Sequence, residues 1–79
     1  MIEQFDLLDR KPEILGGKPI IKGTRISVSL ILEWLGTGGN PETIHERYPS
    51  VSPEAVRQAL LFSSQHLSAT ESFEFTIAA

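Results

Sequence analysis

The sequence lacks cysteine, long hydrophobic runs and a basic, apolar N-terminus, and each absence excludes a class of protein. Without cysteine there is no disulfide scaffold, no zinc site built on thiolates and no thiol nucleophile. The longest largely apolar run, Val28 to Leu32, ends at Glu33, far short of the ~18 residues that a membrane span needs. The first residues also lack the pattern of a signal peptide. The sequence therefore predicts a cytoplasmic protein with no membrane partner.

The length leaves room for one small domain. The chain has 79 residues, of which 41% are hydrophobic, a proportion typical of globular proteins. The core of so short a chain rarely contributes more than ~3–5 kcal/mol to the free energy of unfolding. Self-association into a homodimer is therefore expected.

Positive charge is concentrated in one segment, although the whole chain carries a net charge of −3. Residues 1–9 carry −3, residues 10–25 carry +4 and residues 26–79 carry −4. The middle segment has one acidic residue, Glu13, and five cations, Arg10, Lys11, Lys18, Lys22 and Arg25. Clustered Lys and Arg are what phosphate binding requires, so this segment is the predicted footprint for a polyanion. A solvated strand edge kept soluble by its lysines is the alternative.

A short β-hairpin is predicted next to this charge. The runs 13–15 and 18–21 flank the pair Gly16-Gly17, and glycine readily adopts the positive φ of a tight turn. Pro19 cannot donate to a strand ladder, which places its strand at an edge or at its own start. Gly23 marks a second bend before residues 24–26.

The first predicted helix is capped by Ser27 or Ser29 and ended by Gly36. It is apolar almost all round, with Glu33 as its only charge. Such a helix is normally buried on more than one side, and a small domain has few elements to cover it. A dimer interface that includes Trp34 covers the remainder in this interpretation.

Two further helices follow, each opened by a capping residue and a proline. Asn40-Pro41 predicts a helix from residue 42 to 47 or 48, and Ser52-Pro53-Glu54 predicts one that runs to about Gln65. The expected buried face of this third helix is Val56, Ala59, Leu60 and Ser63, and its expected outward positions are Glu54, Arg57, Gln58, Leu61 and Gln65. The helix order fits a helix-turn-helix, although any antiparallel helical hairpin gives the same signals.

The third helix offers side chains that suit DNA. Arg57 pairs with guanine and Gln58 with adenine edges in a major groove, and Ser52 at its tip reaches a phosphate. Glu54 opposes this interpretation because it repels phosphate, and an Arg57–Glu54 ion pair three residues apart is the alternative. Arg25 in the basic segment either contacts phosphate or neutralises Glu13 or Glu33.

Catalysis and metal binding are not expected. The glycines of residues 16–23 lack the Gly-Lys-Ser/Thr order of a phosphate loop, and no Gly-x-Ser-x-Gly elbow occurs. Glu42 and His45 have the spacing of a di-metal helix pair, but such sites need several helices and the chain has one such pair. The predicted protein is not an enzyme and has no cofactor and no metal site.

The tail, residues 67–79, is interpreted separately from the domain formed by residues 1–66. Phe73, Phe75 and Ile77 alternate with polar residues, which predicts a strand. Such a strand pairs with the hairpin, with a second copy or with a partner protein. A frayed terminus is the alternative.

Linked motifs across residues 10–65 resemble the domain of unknown function 433 family. They are Pro12 to Ile26 with its Gly-Gly-Lys-Pro and Gly-Thr-Arg-Ile blocks, Trp34-Leu35-Gly36, Gly38 to Glu42, Tyr48-Pro49 and Ser52 to Val56. The resemblance implies a small bacterial protein with an N-terminal β-hairpin and a helix-turn-helix of the homeodomain-like or winged type, usually dimeric. Members are often encoded beside a PIN-like ribonuclease and are regarded as VapB-type antitoxins. The short tail departs from the longer C-terminal extension expected of antitoxins.

The sequence and the resemblance together predict a mainly α protein that acts as a dimeric DNA-binding antitoxin. It represses its own operon through the helix-turn-helix and neutralises a PIN-like ribonuclease. The residues assigned to DNA are Lys18, Lys22, Thr24, Arg25, Ser52, Arg57 and Gln58, and those assigned to protein partners are Trp34, Phe73 and Phe75. The alternative is a protein-interaction or dimerisation module without nucleic-acid activity, which the net negative charge favours.

Overall fold

The computed structural model describes residues 2–70, with side chains through Ser68, as three helices and a short two-stranded antiparallel sheet. The elements are β1 (Leu8–Asp9), β2 (Ile20–Ile21), α1 (Val28–Gly36), α2 (Pro41–Arg47) and α3 (Pro53–Thr70). None of the helices in this part of the chain is long and apolar enough to cross a membrane. The predicted mainly α fold with a small hairpin is confirmed.

The hairpin lies elsewhere than predicted. Leu8 pairs with Ile21 and Asp9 with Ile20, whereas Leu15 and the two following glycines form a 3₁₀ turn. Leu15 has a φ of +50°, outside the strand region, and its side chain is 46% exposed. Leu8 is fully buried, so the strand forms where its side chain enters the core.

The turn after β2 is confirmed. Gly23 has a φ of +80°, and the N–H of Thr24 donates to the carbonyl of Ile21 at 3.0 Å. The N–H of Ile21 in turn donates to the carbonyl of Ile26 at 2.8 Å. Residues 22–25 therefore project from the sheet on a hydrogen-bonded backbone.

All three predicted helix starts are confirmed by their caps. The Ser27 hydroxyl accepts from the N–H of Leu30 at 3.0 Å. Asn40 and Thr43 form a reciprocal capping box with Pro41 in the first turn of α2. The Ser52 hydroxyl accepts from the N–H of Ala55 at 3.1 Å. The third helix continues to Thr70, beyond the predicted end near Gln65, so the first four residues of the predicted tail are helical.

The core lies between α3 and the other elements. The buried residues of α3 include Ala55, Val56, Ala59 and Phe62, so the expectation that Leu60 is buried is wrong. Leu60 is 45% exposed because the buried face is rotated towards Phe62. Helix α1 buries Val28 and Ile31, and its other large apolar side chains are half-buried.

Candidate functional site

The basic side chains fall into two groups according to what they contact. The Arg57 guanidinium forms a two-pronged ion pair with Glu54, Arg10 lies 5.8 Å from the ring centre of Phe62, and Arg47 lies 6.0 Å from that of Tyr48. The remaining four cations are Lys11, Lys18, Lys22 and Arg25. All four are exposed, and within residues 2–70 none forms an ion pair. We call these four residues the basic loop surface.

Two hollows give the basic loop surface its shape. The first has a volume of about 490 Å³ and includes Lys11 and Arg25 in its wall. The second, about 400 Å³, includes Lys18, Arg25 and the carboxylate of Glu33. Arg25 borders both hollows, and within one chain it pairs with neither Glu13 nor Glu33 among the described contacts. The structure thus brings together three cations from two loops.

The fourth cation, Lys22, is held next to the N-terminal segment. Its N–H donates to the carbonyl of Leu7 at 2.9 Å, and the N–H of Leu7 donates to Gln58 at 2.9 Å. Lys22 is therefore linked through one residue to α3.

Two hydroxyls assigned to DNA have structural duties. The Thr24 hydroxyl donates to the carbonyl of Ile21 at 2.8 Å and accepts from the N–H of Ile26 at 2.9 Å. The Ser52 hydroxyl caps α3, as described above, and keeps its own proton free for donation. Thr24 shapes the basic loop surface, whereas Ser52, at the start of α3, lies in the wall of neither hollow.

The expected outward position of Gln58 is wrong. Its side chain is only 8% exposed, and its amide oxygen accepts from the N–H of Leu7. Its amide nitrogen donates to Asp6 at 2.9 Å and lies 3.4 Å from Glu54. Both ends of the amide are thus engaged, because the N-terminal segment folds across α3. The spacing of residues along α3 gave no indication that the N-terminal segment covers Gln58.

Arg57 adopts the ion-paired alternative. The hydrogen bond from Arg57 lowers the pKa of Glu54, and the same contact raises the pKa of Arg57 above its ordinary value. Both side chains are well exposed, so solvent screens the pair. The first turns of α3 thus present a locally neutral pair.

Trp34 packs rather than protrudes. Its ring stacks on Tyr48 with centres 4.5 Å apart and an interplanar angle of 5°, and both rings are half-buried against the core. The other two residues assigned to protein partners, Phe73 and Phe75, lie outside the described residues.

An apolar groove between α1 and α3 was missed from the sequence. It has a volume of about 430 Å³, and its walls include Leu32 of α1 and Phe62 and Leu67 of α3. Leu67 is 58% exposed and lies on the same stripe of α3 as Leu60, seven residues earlier. The period of the leucines was visible in the sequence, but the rotation of the buried face was not.

The Glu42–His45 pair does not develop into a metal site in the described part of the chain. No group of three or more metal-binding side chains occurs within it. The Nδ1 of His45 lies 3.0 Å from the carbonyl of Val51. Because a carbonyl only accepts, this nitrogen carries the proton and joins α2 to the turn before α3.

Comparison with known proteins shows that these features lie in the part of the chain that matches a protein family. The family model described as "Protein of unknown function (DUF433)" matches residues 9–63, which include the basic loop surface and all three helix caps. The uncharacterized protein y4eO of Sinorhizobium fredii (strain NBRC 101917 / NGR234) is 31% identical over 58 residues. The match covers 73% of this chain and 26% of that protein, so the chain spans about a quarter of its relative. No solved structure gives a significant match.

Proposed function

The chain belongs to the DUF433 family, and on that premise we propose that it is a dimeric DNA-binding antitoxin. It represses its own operon and neutralises a PIN-like ribonuclease. The observation that carries the DNA-binding part is that residues 11–25 contain the four Lys and Arg side chains that form no ion pair among the described residues. The nuclease part is supported by the resemblance of the linked motifs to VapB-type antitoxins.

Local charge favours DNA despite the net charge of −3. Residues 10–25 carry +4, and the acidic residues lie mostly in other segments. Phosphate contacts supply most of the non-specific affinity of DNA-binding proteins and need clustered cations. The order of α1, α2 and α3, with a short turn at residues 48–52, supports a helix-turn-helix scaffold for these cations.

A homodimer is part of the proposal because one copy has few cations. Each phosphate contact contributes about 0.9 to the slope of log affinity against log salt concentration. Four contacts give a slope of about −3.6, and two copies give about −7. The groove between α1 and α3, with the exposed stripe of Leu60 and Leu67, supports a dimer interface on that side of the domain.

The DNA-binding part is tested with labelled duplex DNA from upstream of the chain's own gene. Fluorescence anisotropy is recorded with the full chain from 50 mM salt upwards. We expect binding at low salt and a log–log slope of about −7. Absence of any binding at 50 mM salt would exclude this part of the proposal, and the chain would then be an interaction module.

The nuclease part is tested by capture from the native host and then by inhibition. The full chain is used as bait at moderate salt, and a retained small ribonuclease is purified and assayed with and without the chain. Inhibition that is lost in a Phe73→Ala, Phe75→Ala variant supports the proposal. A nuclease that remains fully active with excess chain contradicts it.

The alternative function, an interaction module without nucleic-acid activity, is favoured by one observation. The exposed leucines of α3 and the neutral Arg57–Glu54 pair make that helix a surface for protein rather than for DNA. A dimer that forms normally and binds no DNA at low salt is the result that this alternative predicts.

A further inference from the structure

We propose that the basic loop surface, centred on Arg25, makes the phosphate contacts and that the first two turns of α3 make none to the bases. The inference deepens the proposed function and rests on its DNA-binding part. A helix-turn-helix ordinarily reads bases with the N-terminal residues of its second helix. In this chain the side chains at those positions that suit bases are already bound to other residues of the chain.

Arg57 and Gln58, the two side chains of α3 that suit DNA bases, already form hydrogen bonds within the chain. Arg57 would have to leave Glu54 to reach a guanine, and the uncovered carboxylate would then face phosphate. Gln58 would have to leave the Leu7 N–H, which would then lack its partner in a half-buried position. Asp6, which accepts from Gln58, adds another carboxylate beside this part of α3. Each of these changes opposes insertion of α3 into a major groove.

The loops present the opposite situation. Lys11, Lys18, Lys22 and Arg25 have no partner to release within the described residues before they bind phosphate. Arg25 borders both hollows, so its fork of N–H donors can serve a phosphate in either one. The single carboxylate in the walls, Glu33, belongs to the second hollow, which makes the first hollow the more favourable one.

The loop backbones are also fixed before binding. The N–H of Ile14 donates to the carbonyl of Lys11 at 2.9 Å, and the N–H of Lys18 donates to that of Leu15 at 3.3 Å. Thr24 ties the turn that carries Arg25, as described above. Cations on an ordered backbone lose less conformational entropy on binding than cations on a mobile arm. Phosphate contacts carry no sequence information, so these loops set affinity and orientation on the duplex and do not select its sequence.

The test compares two substitutions that remove the same charge from the two regions. Arg25→Ala and Arg57→Ala each lower the net charge by one and are assayed by anisotropy on the upstream duplex and on a scrambled duplex. We expect Arg25→Ala to make the salt slope shallower by about 0.9 per copy on both duplexes. Arg57→Ala leaves the slope unchanged. Lys18→Ala repeats the loop measurement at a second site, and thermal unfolding confirms that every variant is folded.

The outcomes separate this inference from the proposed function. If the unchanged chain binds and Arg57→Ala weakens it as much as Arg25→Ala, α3 contacts DNA and the inference is wrong while the function stands. Strong preference for the upstream duplex that Arg57→Ala removes has the same meaning. If the unchanged chain does not bind at 50 mM salt, both are wrong.

Discussion

The basic loop surface and the first two turns of α3 each expose an arginine, yet Arg25 and Arg57 differ in what they already contact. Arg57 is tied to Glu54, whereas Arg25 forms no ion pair among the described residues. The two regions are joined through Leu7, which bonds to Lys22 on one side and to Gln58 on the other. The availability of a charged group therefore depends on its neighbours, and its residue type alone does not reveal it. In this domain the cations of the loops are available to bind phosphate, and the arginine of α3 is not.

The largest expected effect comes from truncating Phe62, the core residue through which α3 packs on the N-terminal segment. Phe62 is 6% exposed and packs edge-on against Phe5 with ring centres 5.8 Å apart, while Arg10 lies over its ring. We expect Phe62→Ala to lower the free energy of unfolding by about 3–5 kcal/mol, through lost burial and the cavity left behind. Urea denaturation followed by Trp34 fluorescence measures it.

Leu61→Ala is the matched control for that variant, because it shortens an exposed apolar side chain on the same helix, outside the stripe of Leu60 and Leu67. If the two variants were equally stable, the packing of Phe62 on Phe5 would not hold the N-terminal segment on α3.

A smaller loss of stability is expected from replacing Gln58, which connects α3 to the N-terminal segment by hydrogen bonds. Gln58→Ala leaves the Leu7 N–H and the Asp6 carboxylate without their partner. The cost of such an unpaired group is about 1–3 kcal/mol in the free energy of unfolding. Gln65→Ala, an exposed glutamine on the same helix, should change stability little.

Hydrogen exchange sharpens this prediction. The amide proton of Leu7 should exchange faster in Gln58→Ala than in Gln65→Ala, since its acceptor is gone. Equal exchange in both variants would show that the N-terminal segment is held by Leu8 and Phe5 alone.

The third prediction separates the DNA surface from the proposed dimer surface. Leu60→Glu with Leu67→Glu changes two side chains that are exposed in a single copy, so the fold of the single copy should lose no more than about 0.5 kcal/mol per site. We expect sedimentation to give a monomer and the salt slope to fall from about −7 to about −3.6, because half of the phosphate contacts are lost.

Leu15→Glu is the matched control, since Leu15 is 46% exposed and lies in the loops rather than on α3. It should leave the dimer intact. A double variant that still sediments as a dimer would exclude the α1–α3 side as the interface.

The local features of this fold were predictable from sequence, and the long-range ones were not. Ser27, Asn40 and Ser52 act within three residues of themselves, so the helix starts followed directly from the pattern. The partner of Gln58 is 51 residues away, and the burial of Leu8 depends on α3. No local pattern contains that information, and for this reason the hairpin was misplaced and Gln58 was assigned outward.

The candidate site follows the same division. The segregation of charge into residues 10–25 could be read directly from the sequence. The Arg57–Glu54 pair was foreseen as an alternative because three-residue spacing on a helix is local. The contact between Arg10 and Phe62 joins residues that are far apart in the sequence, so it could not be foreseen. It removes Arg10 from the set of unpaired cations.

The smallest expected effect concerns the ion pair that makes the two regions differ. The pKa of Glu54 is lowered by its hydrogen bond from Arg57, so the pair stabilises the fold above the ordinary glutamate pKa of about 4.3 and that contribution disappears as the pH falls through the lowered value. NMR titration should find the pKa of Glu54 below the ordinary glutamate value, and Arg57→Ala should raise it towards that value. An ordinary pKa in the unchanged chain would mean that Arg57 is not held. Arg57 would then be as available as Arg25, and the distinction between helix and loops would rest on Gln58 alone.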